Sequence, residues 1–212
     1  MRSQASINWK EAIITRLIRV SGYSAIIFVA LIFYFLLSEG LPAMVEVPLQ
    51  DLFGARWYPI EDFYGLLPLI GGSLIVTIGA SLIAMPIGIG TAVFIAEVAP
   101  RWVREILKPL VEVLAGIPSV VLGFLGFLVL APFLRRFLDL PTGLTALTGS
   151  ILLAAISIPT IVSVAEDALD AVPRSYRDAS IALGVTEWQT IWNVTLPAAS
   201  SGVLTAVMLG IG

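Results

Sequence analysis

The chain has 212 residues, 58% of them hydrophobic and only 13% charged, with a net charge of −3 and a mean hydropathy of +0.98. A soluble domain does not carry uninterrupted apolar runs that approach the ~20 residues needed to cross a bilayer. Cysteine and histidine are absent, which excludes disulfide frameworks and thiol chemistry and removes the commonest metal ligand and general base; no catalytic residue and no metal site are expected.

Five apolar segments follow one another at residues 22–37, 66–96, 106–131, 144–165 and 198–212. Residues 1–21 read as a cytoplasmic N-terminal segment, basic through Arg2, Lys10, Arg16 and Arg19, and 22–37 as the first transmembrane anchor. The same layout opens a secretory signal, but Glu39, Leu41 and Pro42 stand where small cleavage-site residues belong, so an uncleaved anchor is expected. Residues 38–65 form an external loop with Glu39, Glu46, Asp51, Glu61 and Asp62 beside Trp57, Tyr58, Phe63 and Tyr64, aromatics suited to the lipid–water boundary. It reads as a surface segment, not a second domain. A cytoplasmic N-terminus places Arg2, Lys10, Arg16, Arg19, Arg101, Arg104, Lys108, Arg174 and Arg177 inside and Arg56, Arg135 and Arg136 outside, the asymmetry that sets membrane orientation.

In the second segment Ala80, Ala84, Gly88, Ala92 and Ala96 recur every four residues, leaving a nearly flat helix face that lets a neighbouring backbone approach. That face is expected to be buried in protein, although small residues are common in membrane helices generally. Pro86 and, in the fourth segment, Pro159 are expected to kink their helices.

The third segment is interrupted at Leu114-Ala115-Gly116-Ile117-Pro118-Ser119-Val120-Val121. Two readings stand side by side: a half-helix starting at mid-membrane whose amides and Ser119 hydroxyl contact an anion, or a packing kink that touches no ligand. Glu112, one turn upstream, is expensive in lipid and is expected to face protein, water or Lys108, in a pathway or in a structural ion pair. Glu112, Gly116, Pro118 and Ser119 are the candidates for a substrate pathway or gate.

Residues 166–196 are polar and jointed between apolar runs. Ser175 and Asp178 have capping-box spacing, which predicts a helix start; Gly184 can take the left-handed conformation that ends it; Thr186 and Gln189 repeat the spacing and start a second helix that Pro197 limits. Ala179 and Ala182 are expected to be exposed and to let another surface come close, while Ile181, Leu183, Ile191 and Trp192 anchor the loop to its own bundle. The fifth segment stops at Gly210-Ile211-Gly212 without a charged flank. The native protein is expected to continue through the membrane, a sixth span being lost to C-terminal truncation.

The order Asp178-Ala179-Ser180, three residues, Gly184, nine residues, Val194, one residue, Leu196-Pro197 resembles the cytoplasmic signature of binding-protein-dependent ABC importer permeases, Glu-Ala-Ala-x3-Gly-x9-Ile-x-Leu-Pro. The departures are Asp for Glu at 178, Ser for Ala at 180 and Val for Ile at 194. Phe63 to Pro68, Ala96 to Pro100 and, most discriminating, Glu112 to Val121 followed by Gly123 and Gly126 are similar to blocks of the phosphate importer's permease, its C component. The Arg-Ala-x-Gly-Glu-Thr block that the family carries next is absent up to Gly212.

The resemblance implies an all-α, polytopic transmembrane helical bundle of the type I, MetI-like ABC permease kind, with residues 66–212 as the permease domain. It implies that Asp178, Ala179, Ser180, Gly184, Leu196 and Pro197 couple the chain to an ATPase. It further implies a second permease subunit, two cytoplasmic ATPase subunits that bind the ATP and Mg, an external phosphate-binding protein, and a prokaryotic cytoplasmic membrane. No cofactor in this chain and no nucleic acid are expected; no Gly-x4-Gly-Lys-Ser/Thr loop occurs in it. The alternatives are a permease for molybdate, sulfate or another solute, an ion channel, an intramembrane enzyme, or a structural membrane subunit. The last three leave residues 175–197 unexplained.

Overall fold

A computed structural model describes residues 9–46, 49–61 and 63–212, so Arg2 and Asp62 lie outside the described residues. The chain divides into two compact units, residues 1–69 and 70–212. In the first, helix α1 (Trp9–Glu46) is far longer than the expected anchor at 22–37. Hydropathy marks where lipid begins, whereas a helix ends only where its backbone bonding stops, and Arg16, Arg19 and even Pro42 are carried inside it. Its apolar side chains, from Ile13 to Leu41, are exposed, the pattern of a helix whose solvent is lipid. A short helix α2 (Leu49–Leu52) and a hairpin of β1 (Trp57–Tyr58) and β2 (Phe63–Tyr64) follow, paired antiparallel as Trp57↔Tyr64 and Tyr58↔Phe63. The loop expected at 38–65 is therefore partly helix and partly hairpin; the Trp57 ring meets Tyr64 edge-on at 6.3 Å.

Helix α3 (Leu67–Val93) buries Ala80, Ala84, Gly88 and Ala92, the face that its small residues single out, and Ala96 is partly buried beyond it. A π-helical turn at Phe94–Val98 extends it. The small face packs on helix α7 (Ala146–Asp170), where a Cβ added at Gly88 would lie 2.7 Å from Ile161 Cγ2. Helix α11 (Ser200–Ile211) closes the core from the other side: Ala92, Ala165, Leu169, Val203 and Ala206 form one cluster, and Ala80, Ala84, Ala154, Ile161 and Val207 a second. Neither Pro86 nor Pro159 ends its helix. Thr145 caps α7, its hydroxyl accepting from Thr148 N, and Ser150 Oγ donates across to Val76 O at 3.2 Å.

The third apolar segment is not one span. Helix α4 (Arg101–Ala115) is amphipathic, stops at Gly116, and is followed by α5 (Ser119–Leu125), a π-turn at Gly126–Leu130 and α6 (Ala131–Phe137). By length and apolar composition the candidate span is Ser119–Phe137 rather than residues 106–131. Arg101, Arg104, Glu105, Lys108 and Glu112 make α4 too polar to qualify. Both pieces nevertheless run along α7: Lys108 pairs with Glu166 and Gly126 packs against Leu152, points roughly 21 Å apart at 1.5 Å per residue. The break at Gly116–Pro118 lies between them in sequence.

Among the described residues four helices, at Glu11–Pro42, Leu67–Val98, Ser119–Phe137 and Ala146–Asp170, are long and apolar enough to cross a membrane, and a bent pair at Glu187–Ala198 and Ser200–Ile211 makes a fifth if counted as one span. The chain is an all-α polytopic membrane bundle. The bend of 72° falls at Ala199, two residues beyond the expected limit at Pro197. The helix carries Pro197 at the start of the short α10 (Leu196–Ala198), after a π-turn at Ile191–Thr195.

Candidate functional site

The segment from Arg174 to Pro197 folds as helix, joint, helix. Helix α8 (Arg174–Ala182) starts one residue before Ser175, with Pro173 at its N-cap (φ −57, ψ 134) and no side-chain cap. The capping box expected from Ser175 and Asp178 does not form: proline presets its own φ, so the helix begins right after Pro173 and Ser175 falls inside it. The C-terminus behaves as expected. Gly184 has φ +82, its N–H donates to Ile181 O at 2.9 Å, and Val185 N–H reaches back to Ser180 O at 3.4 Å, the paired bonds of a Schellman ending. Thr186 then caps α9 (Glu187–Thr190) in a full capping box with Gln189.

A polar contact locks the two helices. Ser180 and Thr190 are both buried, their hydroxyls 2.7 Å apart. Of the expected apolar anchors only Ile191 is buried; Ile181, Leu183 and Trp192 are exposed, as are Tyr176 and Trp188. Asp178, Ala179, Ala182 and Gly184 are exposed, Leu196 is half-buried and Pro197 exposed. The anchoring is done by hydroxyls facing inward, and the apolar side chains of the loop face out.

One ion-pair group ties this region to the bundle, and a second joins α4 to α7. Arg177 of α8 makes a two-pronged pair with Glu97 in the π-turn after α3 and donates to the carbonyls of Val172 at 2.9 Å and Leu169 at 3.0 Å. Further along α7, the carboxylate of Glu166, only 2% exposed, accepts from Arg104 at 2.9 Å and from Lys108 at 2.6 Å. Arg104 also pairs with Asp170, and Lys108 with Asp167 at 2.9 Å. Hydrogen bonds to Asp170 and then Glu166 raise Arg104 above its ordinary pKa, and those to Glu166 and then Asp167 raise Lys108. Lys108 is thus engaged away from Glu112, which is exposed and has no hydrogen-bond or ion-pair partner among the described residues.

The region from residue 84 to 212 matches the model of a family described as binding-protein-dependent transport system inner membrane component. The chain belongs to this family of ABC importer permeases. Among the permease's relatives, a probable ABC transporter permease protein, YqgH, of Bacillus subtilis is 47% identical over 165 residues, covering 77% of this chain and 53% of the relative. The phosphate transport system permease protein PstC of Xylella fastidiosa is 33% identical over 196 residues, 84% of this chain and 60% of the relative. That of Pasteurella multocida is 34% identical over 175 residues, 74% and 55% respectively. The chain spans little more than half the length of these curated relatives.

Within the permease, Glu112, Gly116, Pro118 and Ser119 gather by sequence at the elbow between α4 and α5, all exposed. Gly116 ends α4, its N–H donating to Glu112 O and Val113 O at 3.1 Å; Pro118 is the N-cap of α5, and Ser119 makes no capping bond. Among the described residues no group of three acidic side chains is placed to hold a metal ion. The ion pairs were not found from sequence, since their partners lie 58 to 80 residues apart. The available signal was the match of Arg104 and Lys108, one turn apart, with three acids in the last turn and a half of α7.

Proposed function

We propose that this chain is the transmembrane permease subunit of an ATP-driven phosphate importer and forms half of the translocation pathway. The loop at 175–197, with Asp178, Ala179, Ser180, Gly184, Leu196 and Pro197, takes up the motion of a cytoplasmic ATPase subunit. The observation that carries this reading is the outward face of that loop: Ile181, Leu183 and Trp188 exposed beside Ala179 and Ala182, on a scaffold locked from inside by Ser180 and Thr190. Such a surface is rigid, apolar and easily approached, the properties of a docking element. The likeness to phosphate permeases supports the substrate.

In this reading the pathway also involves a second permease subunit, an external phosphate-binding protein delivers the substrate, and two ATPase subunits bind ATP and Mg. The membrane is the prokaryotic cytoplasmic membrane, with the N-terminus inside. The charge layout supports that orientation. Arg104, Lys108 and Arg177 gather where α7 ends, beside the docking loop, whereas Arg135 and Arg136 close α6 near Ala131, which packs on Gly143 just before α7 begins. Glu112, Gly116, Pro118 and Ser119 are the pathway or gate candidates, at the helix break between α4 and α5.

These 212 residues contain no cysteine, so a single Ala179→Cys or Ala182→Cys, compared in the assembled importer with the unsubstituted chain, gives a cross-linking probe. Capture of the ATPase subunit is expected; capture of lipid alone overturns the docking role. A second reading, an importer of another oxyanion, is favoured by one fact: the 47% identical relative carries no substrate in its name. Uptake of radiolabelled phosphate into proteoliposomes, competed with molybdate and sulfate, separates the two.

A further inference from the structure

We propose that the Glu97–Arg177 ion pair is the joint through which the coupling loop moves α3 and α7, with Arg177 as the positioning residue. Three elements converge on this one side chain. The guanidinium belongs to α8, next to Asp178 of the docking surface. It holds the Glu97 carboxylate with Nε and Nη2, and it caps the end of α7 by donating from Nη1 to Val172 O and from Nη2 to Leu169 O. The last carbonyls of a helix lack the usual backbone partners; Arg177 adds a second bond to Leu169 O, which also accepts from Val172 N at 3.2 Å, and one to Val172 O just past the end of α7.

The geometry suits transmission rather than attachment alone. The planar fork of an arginine fixes orientation as well as distance, which a lysine ammonium does not. Both side chains are shielded, Arg177 at 20% and Glu97 at 9% exposed, so water screens the pair weakly. Glu97 sits in the π-turn at Phe94–Val98, a widened turn of the kind frequent at functional sites. Past that turn the small face of α3 packs on α7 and α11 without slack. A tilt of α8 therefore reaches α3 through this fork, and α7 through the fork and the short chain link at 171–173, while the Ser180–Thr190 bond runs to the next helix of the loop.

This inference rests on the proposed docking of the ATPase, and the test separates the two. The assembled importer, with the full-length permease, is reconstituted with its binding protein and radiolabelled phosphate. Uptake per ATP hydrolysed is measured for wild type, Glu97→Gln, Arg177→Lys and the double variant. Glu97→Gln is expected to keep the ATPase bound and its basal hydrolysis intact while uptake per ATP falls about tenfold, within the 5- to 150-fold range of ordinary coupling energies. Arg177→Lys, which keeps the charge and loses the fork, is expected to fall too, and the double variant to be no worse than the poorer single one. Uptake per ATP equal to wild type in Glu97→Gln overturns the joint alone. Failure of Glu97→Gln to assemble overturns it as well, since the pair is then a structural brace. If the wild-type loop does not cross-link to the ATPase, the docking reading fails first and the joint goes with it.

Discussion

Ser180 Oγ and Thr190 Oγ1 face each other at 2.7 Å in the buried angle between α8 and α9. Ser180 occupies the position at which the family signature has alanine, so this chain adds a hydrogen bond where the pattern offers only a small side chain. Ser180→Ala is expected to lower stability by about 1 kcal/mol, because Thr190 loses its partner in a buried site. Adding Thr190→Val to it should cost less than the sum of the single effects, since both remove the same bond. Thermal unfolding of the purified complex and proteolysis at the 183–187 joint read the two effects.

The conformation of Gly184 sets a second test. Its φ of +82 lies in the left-handed region, and a Cβ there would meet nothing within 4 Å, so any penalty comes from the backbone alone. Gly184→Asn, a residue that visits this region, should be nearly silent. Gly184→Val should cost about 1–2 kcal/mol and misalign α8 and α9. Gly184→Asp can take the same backbone conformation as asparagine but adds a charge to the exposed docking surface, and is expected to insert in the membrane and yet abolish substrate-stimulated ATP hydrolysis in the reconstituted importer. Normal stimulation in both the Val and Asp variants would count heavily against a docking role.

Glu166 is buried between two cations that are each about one-third exposed, Arg104 at 32% and Lys108 at 39%. Glu166→Gln removes the charge that both share. The expected loss is about 1–3 kcal/mol, below the value for a fully buried pair because water screens the cations. The pH dependence has a definite sign. Lys108 has a raised pKa in the fold, so its contribution is complete below the ordinary lysine value of about 10.4 and is lost only as pH rises through the still higher folded value. Unfolding of wild type should therefore show no pH dependence from Lys108 between about pH 7 and 9, and Lys108→Met should lower stability equally across that window. A loss that appears only above neutral pH would contradict the assignment.

Local chemistry was readable from sequence, and long-range pairing was not. The stripe Ala80, Ala84, Gly88, Ala92 identifies the buried face of α3 because a period of four small residues has few other uses in a long apolar helix. The positive φ at Gly184 and the Thr186–Gln189 box follow from the same short-range rules. Those rules fail at Ser175, where Pro173 fixes the helix start first, and at α4, where hydropathy runs past a charged, amphipathic helix into the true span at Ser119. The ion pairs of Arg104, Lys108 and Arg177 depend on how α3, α4 and α7 are laid side by side, and spacing along one helix carries no record of that. The apolar anchors Ile181, Leu183 and Trp192 were misplaced for a related reason: an apolar side chain that faces out of its own fold looks the same in sequence as one that meets its core.

At Gly88 α3 and α7 pack closely, with Ile161 filling the space a Cβ would take. Ile161 is fully buried, so the site cannot give way by turning a side chain into lipid. Gly88→Ala is expected to cost about 1–3 kcal/mol through overpacking, despite alanine's better helix propensity, which favours the variant by about 1 kcal/mol. Ile161→Ala, which removes the Cγ2 that a Cβ at residue 88 would meet at 2.7 Å, should alone cost about 2–5 kcal/mol. In the double variant the two defects occupy the same volume and should partly cancel, giving a stability closer to wild type than the sum predicts. Thermal unfolding of the four proteins in detergent measures this coupling. Additive losses would mean that α3 and α7 are held together elsewhere and that the small-residue face is not the contact that sets their spacing.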